Sequence, residues 1–124
     1  MSYIALATDA FDAVTRFYGQ ELGFPVTGNW DRPRGRGRRF DLDGLTLEIL
    51  DNTRERQPLI LPAPTDRFHL VIETSDIATA RSRLQIPAPS PRAVSWGATL
   101  FQVRDPDGVP VTFLSWHAGG SDRR

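Results

Sequence analysis

The sequence of 124 residues contains no cysteine and no lysine, and it has only two histidines. Without cysteine the chain can form no disulfide, thiolate nucleophile or cysteine-ligated zinc site. All fifteen basic residues are therefore arginine, and they balance fifteen acidic residues to give no net charge. A neutral chain creates no overall field that would draw it to nucleic acid or to an anionic membrane.

Long apolar segments are also missing. No run approaches the roughly 18 apolar residues that a membrane-spanning helix needs. The first residues enter a strand-like pattern at once, without the basic and apolar regions of a signal peptide. We therefore expect a cytoplasmic protein with no membrane partner and no nucleic-acid partner.

A pattern of one strand, one helix and three further strands occurs twice along the chain. The first half has predicted strands at residues 3–8 and 24–30, at a segment ending in the turn 43–44, and at 45–50. The second half has predicted strands at residues 68–74, 93–96, 98–104 and 111–116. Such a repeat indicates an α+β fold of two tandem βαβββ modules. We expect a curved mixed sheet with a concave ligand cup and with helices on the outer face.

The whole chain, residues 1–124, is interpreted as a single domain. The first module covers residues 1–52 and the second covers residues 67–116. A proline-containing linker, residues 53–66, joins them. The polar, glycine-containing segment 117–124 is predicted to be a flexible tail.

Capping residues mark the expected helix ends. Asp9, with Asp12 three residues later, is predicted to cap the first helix, which ends near residue 21 before Gly23. Ser75 or Asp76 is predicted to cap the second helix. The phenylalanines are expected in the core, among them Phe11, Phe17, Phe68, Phe101 and Phe113.

An arginine-rich segment, residues 32–39, separates two predicted strands of the first module. Its charge would suit phosphate or nucleic acid, but the segment has no aromatic platform of the RNA-binding kind. A solvated hairpin tip is the favoured interpretation, since exposed charge runs are usually solvated.

Three motifs resemble those of one superfamily. Residues 17–24, Phe-Tyr-Gly-Gln-Glu-Leu-Gly-Phe, resemble a helix ending of the vicinal oxygen chelate superfamily. Trp96-Gly97 and the later Asp105-Pro106-Asp107-Gly108 resemble its second-module motifs. That superfamily includes glyoxalase I, extradiol dioxygenases, fosfomycin-resistance transferases and bleomycin-resistance proteins. The resemblance covers nearly the whole chain, and it implies the fold more strongly than any one activity.

Enzymes of this superfamily hold a divalent metal in the cup. The resemblance places the four ligand positions at Ser2, Glu48, His69 and Thr112. Only Glu48 and His69 have metal-binding side chains, so we expect neither a metal nor another cofactor, with these two as weak candidates. They are alternatively polar liners that bond each other or water, or a metal-free general base.

Strand alternation predicts the lining of the cup. It would be apolar, with a few polar groups and with indoles suited to a flat aromatic ligand. The predicted ligand-binding residues are Ile4, Trp30, Phe40, Glu48, Leu50, His69, Val71, Trp96, Gln102, Thr112, Leu114 and Trp116. Trp96 and Trp116 are alternatively core or dimer-interface residues.

The resemblance favours the metal-free, antibiotic-binding branch of the superfamily, whose members are dimeric, sometimes with exchanged strands. It implies a homodimer, strand-swapped or not, that sequesters an aromatic antibiotic for resistance or carriage. The candidates are bleomycin, mitomycin and quinoxaline or quinoline peptides, and the neutral chain favours an uncharged, flat one. The alternative is a metal-dependent glyoxalase-like lyase, isomerase or dioxygenase with a reduced ligand set, so enzyme activity stays open. A third possibility is a structural interaction domain.

Overall fold

The computed structural model describes residues 1–63 and 66–118 of the chain. Two residues of the predicted linker, Pro64 and Thr65, lie outside the described residues, as does the predicted tail from residue 119 onward.

The first βαβββ unit forms one four-stranded mixed sheet. Its order is β1-β4-β3-β2, with β1 parallel to β4 and the other pairs antiparallel. Helix α1 continues into a π-helical turn, which ends before Gly23 as predicted. The elements are β1 (Ile4–Thr8), α1 (Phe11–Arg16), the π-helical turn (Phe17–Glu21), β2 (Val26–Arg32), β3 (Gly35–Leu42) and β4 (Leu45–Asp51).

The second unit repeats this topology. Its order is β5-β8-β7-β6, again with one parallel pair, β5 and β8, and two antiparallel pairs. Its elements are β5 (Leu70–Glu73), α2 (Ile77–Ser82), β6 (Arg92–Val94), β7 (Ala98–Arg104) and β8 (Pro110–Trp116). The α+β class with two βαβββ modules is confirmed. No helix in the described part of the chain is long and apolar enough to cross a membrane.

One of the two predicted helix caps is correct. Asp76 caps α2, since its carboxylate accepts a hydrogen bond from the backbone N–H of Thr79 at 3.1 Å. The predicted cap at Asp9 is wrong. Ala10 begins α1 without a side-chain cap, and the Asp9 carboxylate instead accepts from the Asn52 amide at 2.7 Å. Asp9 therefore fixes the end of β4 rather than the helix.

Most of the arginine-rich segment belongs to β3, so the predicted solvated hairpin tip is right for residues 32–34, which are exposed, and wrong for residues 35–39. The turn is confined to Pro33 and Arg34, and β3 begins at residue 35. The Arg36 guanidinium lies 4.3 Å from the centroid of the Phe11 ring and 2.9 Å from the buried Asp51 carboxylate. A stacked ring and a carboxylate thus replace water around this charge.

The helix-facing sides of the two sheets belong to one apolar core. Phe40, Leu47 and Ile49 represent the first sheet in this core, and Ile72 and Phe113 the second. We call these sides the core faces and the opposite sides the open faces. Because the core is shared, both open faces point away from it, and the modules pack back to back.

Several contacts join the modules around this core, among them a backbone hydrogen bond from Gln85 N–H to the Glu21 carbonyl at 2.8 Å. The Phe24 and Phe113 rings stack with centroids 6.3 Å apart. The buried Tyr18 hydroxyl donates to Asp105 Oδ2 at 2.8 Å, and Asp105 Oδ1 accepts the backbone N–H groups of Asp107 and Val109. Burial raises the pKa of Tyr18, so its hydroxyl keeps the proton that it donates.

Replacing Tyr18 with phenylalanine should destabilise the fold by about 1–3 kcal/mol, because it leaves the buried Asp105 carboxyl without one of its donors. Burial raises the pKa of Asp105, and the Tyr18 hydrogen bond opposes that rise. Between the unfolded and the higher folded pKa the folded state binds more protons, so stability falls as pH rises through this window. Losing Tyr18 raises the folded pKa further. The loss of unfolding free energy caused by Tyr18→Phe should therefore be greater near pH 8 than near pH 4, as measured by urea denaturation.

The matched control is Tyr3→Phe, the same exchange at an exposed tyrosine, which should stay within about 0.5 kcal/mol of wild type. If both variants lost the same amount of stability at every pH, the role of the Tyr18–Asp105 hydrogen bond would be contradicted.

Candidate functional site

A cavity of about 320 Å³ lies on the open face of the second sheet. Strand register explains why its residues meet: Thr112 of β8 lies between Val71 of β5 and Gln102 of β7, so all three share a face. The lining consists of His69, Val71, Glu73, Arg92, Trp96, Leu100, Gln102, Thr112, Leu114 and Trp116. This set combines an apolar floor with indoles and a few polar groups.

Two indoles form one wall of this cavity. The Trp96 and Trp116 rings meet edge to face, with centroids 5.4 Å apart and an interplanar angle of 62°. Trp116 Nε1 donates to Glu73 Oε1 at 2.8 Å, which fixes the orientation of the ring. Gly97 takes a positive φ of 95° in the turn between β6 and β7, and this turn carries Trp96 to the cavity edge.

Polar groups at the other end of the cavity form a hydrogen-bonded chain. His69 Nε2 contacts the backbone carbonyl of Asp66 at 2.8 Å, and His69 Nδ1 lies 3.4 Å from Gln102 Nε2. Gln102 Nε2 also donates to Thr112 Oγ1 at 3.1 Å. The Arg104 guanidinium pairs with the Asp66 carboxylate and holds the pKa of that carboxyl below its usual range. The loop before β5 is thereby tied to β7.

The open face of the first sheet carries an ion pair at its centre. Glu48 is only 6% exposed, and its Oε1 lies 2.8 Å from Arg39 Nε. The Arg39 guanidinium also stacks on Tyr3, 4.4 Å from the ring centroid. The Glu48 hydrogen bond raises the pKa of Arg39. Glu48 is thus an internal counter-ion rather than an available base or ligand.

Trp30 lies flat on the same open face, over Gly37. A Cβ atom at position 37 would lie 2.2 Å from Trp30 Cζ2, which no side chain can accommodate. Gly37 pairs with Trp30 on the neighbouring strand. Because glycine has no side chain, it leaves the space that the indole occupies.

The cavity brings together seven of the twelve predicted residues, all from the second module. These are His69, Val71, Trp96, Gln102, Thr112, Leu114 and Trp116. Trp30, Glu48 and Leu50 lie on the open face of the first sheet, since Trp30 and Leu50 both pair with Gly37 and Glu48 pairs with Arg39. The two open faces point away from one shared core, so one chain does not join these sets.

Two predicted residues face the other way. Ile4 is in register with Leu47 and packs against the core, so its placement in the cup is wrong. Phe40 is completely buried in the core, 6.2 Å from the Tyr18 ring, so its placement is wrong as well. Phe68, by contrast, was expected in the core and is 46% exposed.

Sequence reasoning missed Arg39, Tyr3 and Gly37. A signal for Arg39 and Gly37 was present, because alternation from Glu48 through the turn at residues 43–44 puts both on one side of a neighbouring strand. The run of arginines concealed this alternation by resembling a loop.

The donor set does not fit a divalent metal. The described residues contain no group of three His, Asp or Glu side chains placed to hold one. Glu48 is bonded to Arg39 and His69 to Gln102 and Asp66, so of the alternatives for this pair the mutual hydrogen bond is not formed. The remaining family positions, Ser2 and Thr112, offer only hydroxyl groups.

A larger cavity, of about 380 Å³, lies at the junction of the modules and contains none of the predicted residues. It is lined by aliphatic side chains and by Asp9, Asp105 and Asp107. Asp9 and Asp105 are engaged in the structural hydrogen bonds described above.

The sequence profile of the glyoxalase/bleomycin resistance protein/dioxygenase superfamily matches residues 1–113. The chain belongs to this superfamily. No functionally curated protein matches it.

Several solved structures share the fold. A glyoxalase/bleomycin resistance protein/dioxygenase from Nocardioides is 25% identical with a TM-score of 0.75, over 99% of this chain and 87% of its own. An antibiotic binding protein from a Streptomyces species is 18% identical with a TM-score of 0.62, over 94% and 97%. A lactoylglutathione lyase from Agrobacterium tumefaciens is 22% identical with a TM-score of 0.63, over 93% and 92%. The last two likenesses establish the fold alone.

Gly37→Ala should displace the Trp30 indole from the open face of the first sheet, because the added Cβ cannot coexist with the ring. In ¹H–¹⁵N spectra the three tryptophans should give three indole N–H signals, of which Trp30's alone should move strongly. Trp30→Phe assigns that signal.

Gly28→Ala is the matched control, since its Cβ would meet only the Arg39 side chain at ordinary contact distances from 3.6 Å. Equal movement of the Trp30 signal in both variants would show that Gly37 does not specifically seat the ring.

Proposed function

We propose that the protein is a non-catalytic binding protein for a planar aromatic small molecule, of the natural-product antibiotic type, used in resistance or carriage. The observation that carries the proposal is the placement of indoles on both open faces: Trp30 on one and the Trp96–Trp116 pair on the other. Flat aromatic ligands gain most from stacking on such rings.

The second-sheet cavity has suitable size and chemistry for part of such a ligand. Its volume of about 320 Å³ is at the lower end of the range for small-molecule pockets. Val71 and Trp96 are 47% and 39% exposed, so apolar surface there is accessible to a ligand. Covering this surface would supply most of the binding free energy.

Side-chain chemistry favours binding over catalysis. A general base needs an accessible acceptor that is not already engaged. Glu48 is held by Arg39, and both ring nitrogens of His69 have partners. Glu73, beside the indoles, accepts from Trp116, and Arg92, which also lines the cavity, is cationic. Since the acidic groups are engaged within the protein and Arg92 would repel a cation, an uncharged ligand suits the surface better than a cationic one.

We further propose that two copies of the chain complete the cup. Both open faces point away from the shared core, so the indoles of one chain do not face each other. Strands β1 and β5 lie at sheet edges and can meet a second copy. In such a homodimer the first sheet of one copy covers the second sheet of the other, and Trp30 meets Trp96 and Trp116 across the ligand.

Mixing two defective variants tests this arrangement. Trp30→Ala and Trp96→Ala should each weaken binding of a quinoxaline antibiotic by about tenfold or more, because each damages both cups of a homodimer. A heterodimer of the two variants should regain one intact cup, built from the intact module of each chain. We expect tight binding at one site per heterodimer, measured by fluorescence titration and by calorimetry on the mixed, re-equilibrated protein.

Phe68→Ala, at an exposed aromatic residue outside the cavity, is the control and should leave affinity unchanged. Failure of the mixture to regain binding would overturn the shared cup. Absence of binding by wild type across bleomycin, mitomycin and quinoxaline probes would overturn the ligand class. Stoichiometric Ni, Zn, Mn or Fe in protein purified without chelator, lost in Glu48→Gln and His69→Gln, would favour the metalloenzyme instead.

A further inference from the structure

Resting on the proposed function, we infer that Gln102 selects planar ligands that carry an N–H or O–H donor on the ring edge. The inference concerns one atom, the side-chain carbonyl oxygen Oε1 of Gln102, and follows from the hydrogen bonds that fix the amide beside it.

The first step is the tautomer of His69. Its Nε2 lies 2.8 Å from the backbone carbonyl oxygen of Asp66, which can only accept a hydrogen bond. Nε2 must therefore carry the proton. In the neutral ring the other nitrogen, Nδ1, then has a lone pair and accepts.

The second step is the orientation of the Gln102 amide. Nδ1 of His69 needs a donor, and the amide group lies beside it, so the NH₂ end of Gln102 faces His69 at 3.4 Å. The same nitrogen donates to Thr112 Oγ1 at 3.1 Å. Both amide hydrogens are thereby used, and a flipped amide would set a carbonyl oxygen against the His69 lone pair.

The third step is the position of the remaining amide atom. Within residues 1–63 and 66–118, Oε1 of Gln102 has no hydrogen-bond partner, and the side chain lines the second-sheet cavity. Leu100 and Leu114 line the same cavity. A flat ligand resting on these leucines would cover Oε1 and exclude water from it.

Selectivity then follows from the cost of a covered acceptor. A ligand with an edge donor replaces the lost water by a hydrogen bond, whereas a ligand without one leaves the carbonyl unsatisfied. Sites built this way discriminate against analogues that lack the matching group. The indoles stack on the face of the ligand, and Gln102 Oε1 accepts a hydrogen bond from a donor on its edge.

A pair of probes isolates this effect. Quinoxalin-2(1H)-one has a ring N–H, and its 1-methyl derivative has the same ring without the donor. Wild type should bind the N–H probe about five- to tenfold more tightly, the ratio expected for one net hydrogen bond. In Gln102→Met, which keeps the length of the side chain but removes the amide, the two probes should bind with equal affinity. Calorimetry measures the ratio directly.

Gln85→Met provides the matched control, since this exposed glutamine lies outside the cavity and its loss should preserve the wild-type ratio. His69→Phe removes the orienting lone pair and should reduce the ratio of the two affinities toward one. Equal wild-type affinities for the two probes would overturn the selection by Gln102 and leave the proposed function standing. Binding of neither probe by wild type would overturn both.

Discussion

The buried hydrogen bond from Tyr18 to Asp105 sets the arrangement on which the site depends. It joins residues 87 positions apart in the sequence and ties the helix of the first module to a turn of the second. Together with the Phe24–Phe113 stack it brings the apolar sides of both sheets into one core. The opposite faces of the sheets are consequently left open, and all the candidate chemistry lies there.

Arginine takes several structural roles that a solvated charge run would not. Arg36 stacks on Phe11 beside a buried carboxylate, and Arg39 stacks on Tyr3 while neutralising Glu48. A flat guanidinium can stack and bond at once, which a lysine ammonium cannot do in the same way. One of the two metal-binding side chains at the superfamily's ligand positions, Glu48, is thus part of an ion pair.

Local alternation predicted much of this molecule, and long-range pairing explains what it missed. Alternation of side chains along a single strand was enough to predict β4, β7 and the cavity residues of the second module. Ile4 was misplaced because its side depends on the parallel register with β4, which lies some forty residues away. The β3 arginines resembled a loop because the run of arginine and glycine concealed the alternation that pairs Arg39 with Glu48 on the next strand, and because the Phe11 ring beside Arg36 belongs to helix α1. Nothing local indicates that the two modules pack back to back.

The outward direction of both open faces has a consequence for how a ligand would be captured. If two chains supply the halves of each cup, then ligand and dimer stabilise each other by mass action. Occupancy would rise with the concentration of the protein as well as with that of the ligand. A cell that makes little of the protein would leave its ligand largely unbound, and increased expression would remove the ligand over a narrow range. As a consequence of back-to-back packing, the fraction of ligand bound would in this way depend on how much of the protein forms dimers.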